Sequence, residues 1–149
     1  MKFVSRKDKF FTIILASVCV LMLGVIILAF VEKTDLIGQI VVVSTSTLVI
    51  LLLVWLYFGT SYELNNRFLI YRSGPMKGRI SVESIREIIR GETMWVGIKP
   101  ATARNGLIIK YGSYDEIYIS PEQEALFLEK LIEQNPAIKI INANEHPIY

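Results

Sequence analysis

Side chains that could carry acid–base, nucleophilic or metal chemistry are few in this chain and stand far apart. Cys19 lies inside an uncharged apolar run, whereas His146 lies close to the C-terminus, so no thiol–imidazole pair is expected. Glu83, Glu87 and Glu92 could line a cleft as acid and base, but charged residues at such spacing more commonly form a solvated face.

The remaining patterns for ligand chemistry are missing from the sequence. Neither a cluster of metal ligands nor a glycine-rich phosphate loop ahead of a helix occurs. A single cysteine also excludes a disulfide within one chain, as expected in a reducing compartment. We therefore expect no catalytic residues, no cofactors, no metal ligands and no small-molecule substrate, and we predict that the protein is not an enzyme.

Two uncharged apolar runs, Phe10 to Val31 and Leu36 to Phe58, precede everything else of note. Each is at least as long as the roughly 20 residues that a helix needs to cross a bilayer. The first run is longer than the apolar part of a secretory signal, which has about 7–15 residues, and a second run follows at once. The sequence therefore predicts a transmembrane helical hairpin, integral to the lipid bilayer, with a short turn at Glu32–Asp35.

The charges around these runs predict the orientation of the hairpin. Basic residues flank its two ends, at Lys2, Arg6, Lys7 and Lys9 before it and at Arg67, Arg72, Lys77 and Arg79 after it. Since basic residues next to membrane spans are enriched on the cytoplasmic side, we expect both termini in the cytoplasm and the chain in the bacterial inner membrane. Residues 60–149 hold equal numbers of basic and acidic groups, so the pI of about 8.7 does not indicate a nucleic-acid partner.

Aromatic residues crowd the end of the second run. Trp55 and Tyr57 each combine an apolar ring with a polar edge, which favours the headgroup region of a bilayer. We interpret both as interface anchors. The alternative is that their rings are bulky side chains buried in the lipid hydrocarbon.

After residue 59 the pattern changes to short strands separated by turn residues. Two hairpins are predicted from β-branched and aromatic runs, Tyr62–Leu64 with Arg67–Arg72 and Leu107–Tyr111 with Glu116–Ile119. Arg79–Arg90 is interpreted as a strand, a turn near Glu83–Ser84 and a second strand. Glycine and proline predict loops at Ser73–Gly78 and Met94–Asn105.

A helix is predicted directly after the second hairpin. Ser120 offers an N-cap hydroxyl, Pro121 suits the first helical position, and Gln123 completes a capping box. Leu126, Phe127 and Leu131 give the helix an apolar face, with Leu128 and Ile132 as less regular members. Asn135-Pro136 ends it, and Ile138–Ile141 could add a short strand.

The stretches YELNNRFLIYRSGPMKGRISVESI, IIKYGSYDEIYISPEQEALFLEKL and NPAI together resemble the YyaB-like bacterial PH (pleckstrin-homology-like) domain family, whose members often follow two membrane spans. The resemblance implies an α+β fold, in which the N-terminal two-helix transmembrane hairpin is followed by a PH-like bent antiparallel β-sheet or barrel capped by one C-terminal α-helix. We accordingly assign residues 1–59 to a basic segment and the hairpin, 60–138 to the PH-like domain and 139–149 to a tail.

Two functions from different classes remain open. In the first, the protein is a membrane-anchored cytoplasmic interaction module that binds a protein partner, or another copy of itself, through a strand edge or a groove beside the helix. In the second, the module binds anionic lipid of the inner leaflet. Arg72, Lys77 and Arg79 are the candidate lipid contacts, because a linker of few residues holds their loop close to the second span.

Overall fold

Two helices of 23 residues each make up most of the first part of the chain. In the computed structural model, which describes residues 1–32, 35–94 and 96–143, α1 spans Lys9–Val31 and α2 spans Leu36–Phe58. At 1.5 Å per residue each is about 34 Å long. Both are long and apolar enough to cross a membrane, and Ala29 and Ser46 are their only buried residues, which sets them apart from a helix in a soluble core.

Eight strands form two four-stranded sheets. The first contains β1 (Lys2–Val4), β2 (Ser61–Leu64), β3 (Phe68–Ser73) and β4 (Met76–Ser81), in that order and antiparallel. The second has the order β7-β6-β5-β8, from β5 (Ile85–Glu92), β6 (Gly106–Tyr111), β7 (Asp115–Ile119) and β8 (Lys139–Asn142). β8 runs parallel to β5, and a 3₁₀ turn at Val82–Ser84 forms the corner between the sheets.

The core lies between the two sheets and is closed by α3 (Glu124–Gln134). Several strands direct apolar, fully buried side chains inward, as for Leu69 on β3 and Ile109 on β6. The helix contributes Phe127, Leu128 and Leu131 to the same cluster. This is the α+β, PH-like arrangement that the sequence predicted, with the C-terminal helix covering the sheets.

The first strand is a departure from the prediction, because residues 1–9 had been assigned to the basic segment of the hairpin. Although both long helices lie between them in the sequence, β1 pairs with β2, with Lys2 opposite Glu63 and Val4 opposite Ser61. Phe3 is buried and its ring meets that of Phe127 edge-on, with centroids 5.2 Å apart. The N-terminal segment is therefore an integral part of the folded domain.

The predicted start of the terminal helix is wrong. α3 begins at Glu124, the flanking Gln123 makes no capping bond through its side chain, and Pro121 instead bridges to Ser5. Ser120 does not cap the helix, because its hydroxyl is buried and bonded to Ser5.

Other boundaries were predicted with more success. The predicted loop Ser73–Gly78 is a turn of only two residues, Gly74-Pro75, where Gly74 adopts φ +54°. Both predicted hairpins and the turn near Glu83–Ser84 are confirmed. Part of the tail assigned to residues 139–149 belongs to the second sheet, because Lys139–Asn142 forms β8 and pairs with β5. Lys33 and Thr34 of the predicted outer turn, and the residues from 144 onward, which include His146, lie outside the described residues.

Candidate functional site

Both long helices join the two packed sheets, which we together call the barrel, at the same end. Only residues 5–8 separate β1 from α1, and only residues 59–60 separate α2 from β2. Since β1 and β2 are antiparallel neighbours, the two helices must leave side by side. We call this end of the barrel, with residues 5–8, 59–60 and 73–76, the junction end. The opposite end, with the 82–84 corner and the 112–114 turn, is the distal end.

A buried hydroxyl network holds the junction end together. The phenol of Tyr62, fully buried, donates to the carbonyl of Pro100 at 2.5 Å and accepts the amide N–H of Ser120 at 3.1 Å. Ser5 Oγ lies 3.0 Å from that phenol and 3.0 Å from Ser120 Oγ. Burial raises the pKa of Tyr62 above its ordinary value of 10.0, so the phenol stays neutral. With no base positioned to activate a hydroxyl among the described members, the arrangement is suited to cross-linking segments.

The long loop between β5 and β6 straps the linker that leads into α1. The amide of Asp8 donates to Thr102 O at 3.2 Å, and Arg6 Nη2 donates to the carbonyls of Arg104 and Asn105 at 2.6 and 3.0 Å. Arg104 Nε in turn lies 2.9 Å from Asp8 Oδ2, and this bond holds the pKa of Asp8 below its usual 3.8. The sequence predicted the loop but showed no role for it. Trp95 in this loop lies outside the described residues.

The three predicted lipid contacts do not sit at one level. Arg72 and Lys77 are exposed and directly opposite each other on β3 and β4, one pair before the Gly74-Pro75 turn. That turn packs on α2, since a Cβ at Gly74 would stand 2.9 Å from Leu56 Cδ2. Arg79 lies two residues further from the turn than Lys77, about 7 Å along β4, with its guanidinium 5.4 Å from the Phe68 ring. Only the first two cations are held beside the end of α2.

The two predicted interface anchors also differ in their contacts. Trp55 is largely exposed, whereas Tyr57 places its hydroxyl 2.7 Å from Thr12 Oγ1 and so joins α2 to α1. Lys7 Nζ stands 4.1 Å from the centre of the Phe58 ring and 5.3 Å from that of Tyr57, within the range of cation–π attraction.

A groove at the distal end was not apparent from the sequence. It has a volume of about 670 Å³, and its lining combines both signs of charge with one aromatic ring; the charged and aromatic members are Glu83, Arg86, Glu87, Lys110, Tyr114 and Lys139. Lys110 Nζ bonds to Glu87 Oε1 at 2.8 Å, and Arg86 Nη2 donates to Ser113 O at 2.8 Å. Tyr114 at the tip of the β6–β7 hairpin is 98% exposed.

Two of the three acidic residues considered for acid–base chemistry, Glu83 and Glu87, line this groove, whereas Glu92 at the end of β5 does not. Glu87 is paired with Lys110, and Glu83 lies at the corner of the barrel. Within residues 1–32, 35–94 and 96–143, no group of three metal-ligating side chains is brought together.

Residues 60–135 match the family model of the bacterial PH domain. The chain belongs to the bacterial PH domain family. The resemblance noted from the sequence is thereby confirmed. In this PH domain β1 and β8 lie outside the matched residues, and each is the outermost strand of its sheet.

One relative also matches. The chain is 28% identical over 95 residues to the uncharacterized protein YyaB of Bacillus subtilis strain 168, and the match covers 63% of this chain and 65% of YyaB. The match thus spans slightly less than two thirds of that relative. No solved structure matches the chain.

Proposed function

We propose that the protein is a membrane-anchored, non-enzymatic PH-domain module that displays its distal groove to a protein partner in the cytoplasm. The departure of both helices from one end of the barrel carries this proposal. With α1 and α2 in the bilayer, the junction end must face lipid. The distal end then lies the length of a strand away, about 14 Å along β7, where a soluble partner can reach it.

The pairing of β1 with β2 supports the cytoplasmic orientation. A strand that precedes both spans and a strand that follows them can pair only if both lie on the same side of the membrane. Charges near the membrane on that side are mainly basic, with Arg6 and Lys7 before α1, Lys9 as its first residue, and Arg72 and Lys77 after α2. The positive-inside rule then favours the cytoplasm, and the inner membrane of a bacterium, for this side.

The lining of the distal groove favours a protein segment as its partner. Three cations and two carboxylates line it, so a small anion drawn to Arg86 or Lys139 would also meet Glu83 and Glu87. A peptide can carry acidic and basic side chains that pair with both kinds of charge, and an exposed tyrosine such as Tyr114 is typical of protein contacts. The partner is either another protein or a second copy of this chain.

The proposal is tested by photo-crosslinking in native membranes. A photoreactive residue in place of Tyr114 should give a discrete adduct that the same residue at Glu129, exposed on α3, does not give. Reversing Arg86→Glu and Lys139→Glu should remove the adduct, whereas Lys130→Glu outside the groove should leave it. Two tags of different mass on co-expressed copies identify self-association. An adduct unaffected by the double reversal would refute the groove as the partner site.

Anionic lipid is a second candidate ligand, and the position of Arg72 and Lys77 beside the end of α2 favours it. Each cation near an anionic surface is worth about 1 kcal/mol. In nanodiscs, anionic lipid should slow amide exchange in the segment Arg72–Lys77, which contains the turn, relative to neutral lipid. Changing Arg72 and Lys77 to Gln should abolish the difference.

The matched control for the lipid test is Arg67→Gln with Arg86→Gln, which removes two exposed charges toward the distal end. Salt should weaken the effect, since the Debye length is about 8 Å at physiological ionic strength. The full chain is required, because a fragment that starts at residue 60 would lack β1 and leave the Phe127 ring uncovered. Equal exchange in anionic and neutral nanodiscs would rule out the lipid role.

A further inference from the structure

A cavity of about 330 Å³ lies where the two long helices meet the barrel. Its walls are apolar and come from both helices, chiefly Phe11, Ile14, Leu15, Val18, Leu53 and Leu56. Val18 is nine residues into α1, so the cavity follows that helix for about 13 Å beyond its start. We call it the junction cavity. If the helices cross the bilayer, this depth takes it into the hydrocarbon.

The floor of the junction cavity belongs to the barrel and presents one charged side chain, Lys99, together with hydroxyl groups whose protons are already committed. Thr60 Oγ1 donates to Leu56 O at 2.7 Å, which leaves Ser73 Oγ to donate to Thr60 Oγ1 at 2.9 Å. Thr102 Oγ1 donates to Arg6 O at 2.8 Å. Because these hydroxyl donors are satisfied inside the protein, they do not require a polar ligand, and Lys99 also has an interaction partner within the protein.

Size and chemistry together restrict what can fill the junction cavity. Its volume is more than twice the roughly 150 Å³ at which an aliphatic cavity stays dry and accepts a benzene-sized guest. Polar groups capable of holding a cluster of waters are scarce on its walls, which favours an apolar occupant over solvent. Both helices that form the walls expose apolar side chains, and in a bilayer these would contact lipid, so a lipid hydrocarbon chain is the available ligand.

We infer that the junction cavity is a binding site for one acyl chain of a membrane phospholipid. The bound chain fills the space beneath the barrel and seats the PH domain against its spans. This inference rests on the membrane anchoring proposed above, but it is independent of what the distal groove binds.

The first test is phospholipid retention by the full chain. Protein purified in detergent from vesicles of phosphatidylethanolamine and phosphatidylglycerol should keep a single phospholipid in native mass spectrometry. Leu15→Trp fills the junction cavity and should lower retention about tenfold. Ile13→Trp is the matched control, since it adds equal bulk two residues away at a position that is 64% exposed and outside the lining. Equal retention by the two variants would overturn the inference.

A second test uses the unaltered protein, so it does not depend on the folding of a variant. A phospholipid with a diazirine on its acyl chain should label half-buried Leu15 and Leu56 more than exposed Ile13. Labelling that simply follows exposure would contradict a bound chain. Alkaline carbonate extraction separates the two hypotheses: release of the protein refutes membrane anchoring, whereas an unreleased protein without retained lipid refutes only the junction cavity as a site.

Discussion

The junction end and the distal end of this barrel are built by different kinds of interaction. At the junction end, residues from the N-terminus, the start of β2, the 93–105 loop and the end of β7 share one buried hydroxyl network around Tyr62. At the distal end, the half-buried Asn135 donates to Val82 O and Ile85 O, but the other polar contacts include the ion pair Lys110–Glu87 and the exposed Tyr114. Buried, fully bonded groups specify a single geometry, whereas solvated charges can exchange partners. The first end is suited to fixing the domain and the second to recognition.

This contrast predicts that stability resides at the side of the barrel that includes β1. Phe3→Ala should have the largest effect, about 3–5 kcal/mol, because it removes a buried ring packed on Phe127. Thermal unfolding of the full chain in micelles, followed by circular dichroism, measures the change. Val4→Ala on the exposed face of the same strand is the control and should cost less than about 1 kcal/mol. Equal effects would mean that β1 is not part of the core.

The hydroxyl network should contribute less than the aromatic core but more than any distal contact. Tyr62→Phe leaves the carbonyl of Pro100 and the amide of Ser120 without their partner, at a cost of about 1–3 kcal/mol. Tyr114→Phe, at the exposed tip, should change the free energy of unfolding by less than about 0.5 kcal/mol.

A pH profile sharpens the same prediction. Since burial raises the pKa of Tyr62, the folded state holds its phenol proton more tightly than the unfolded state does. The resulting stability is complete below about pH 10, the ordinary pKa of tyrosine, and is lost as the pH rises through that of the folded state. Tyr62→Phe should flatten this alkaline decline. A decline as steep as in the unaltered protein would assign it to other groups.

Sequence patterns predicted the parts of the fold that local residues determine. The β6–β7 hairpin alternates regularly around Gly112–Asp115, and both apolar runs became helices at nearly the predicted residues. β1 was missed because three residues beside several basic ones carry no periodicity, and its partner Ser61–Leu64 is some 58 residues away.

The errors at the candidate sites have the same origin. Ser120 has a complete local signature for a helix cap, but bonds to Ser5 and Tyr62, both distant in sequence, decide its position. The distal groove joins Glu83, Lys110 and Lys139 from three elements, so it exists only after the sheets have formed.

The distal end should tolerate changes that alter recognition. Arg86→Glu with Lys139→Glu should lower the free energy of unfolding by less than about 1 kcal/mol, because exposed charges are screened by water. The same pair should eliminate the crosslink from Tyr114. Comparing the melting temperature with the crosslink yield separates the two effects, and a large loss of stability would show that the groove is structural.

The smallest effect is expected at the ion pair between Asp8 and Arg104, which closes the loop over the start of α1. Asp8 also accepts the amide of Phe10 at 3.3 Å, so its carboxylate both caps the helix and holds the loop. The pair is solvated, and its contribution should therefore be slight. Because Arg104 lowers the pKa of Asp8, the folded state binds this proton more weakly than the unfolded state does. The contribution is then present above pH 3.8 and lost as the pH falls through the folded pKa. The melting temperatures of the unaltered protein and of Asp8→Asn should differ slightly at pH 6 and converge toward pH 2–3, as the carboxylate becomes protonated. If the difference instead persists at acid pH, it does not come from the charge of Asp8. The hydrogen bond to Phe10 would not account for it either, since the side-chain oxygen of asparagine can still accept that amide.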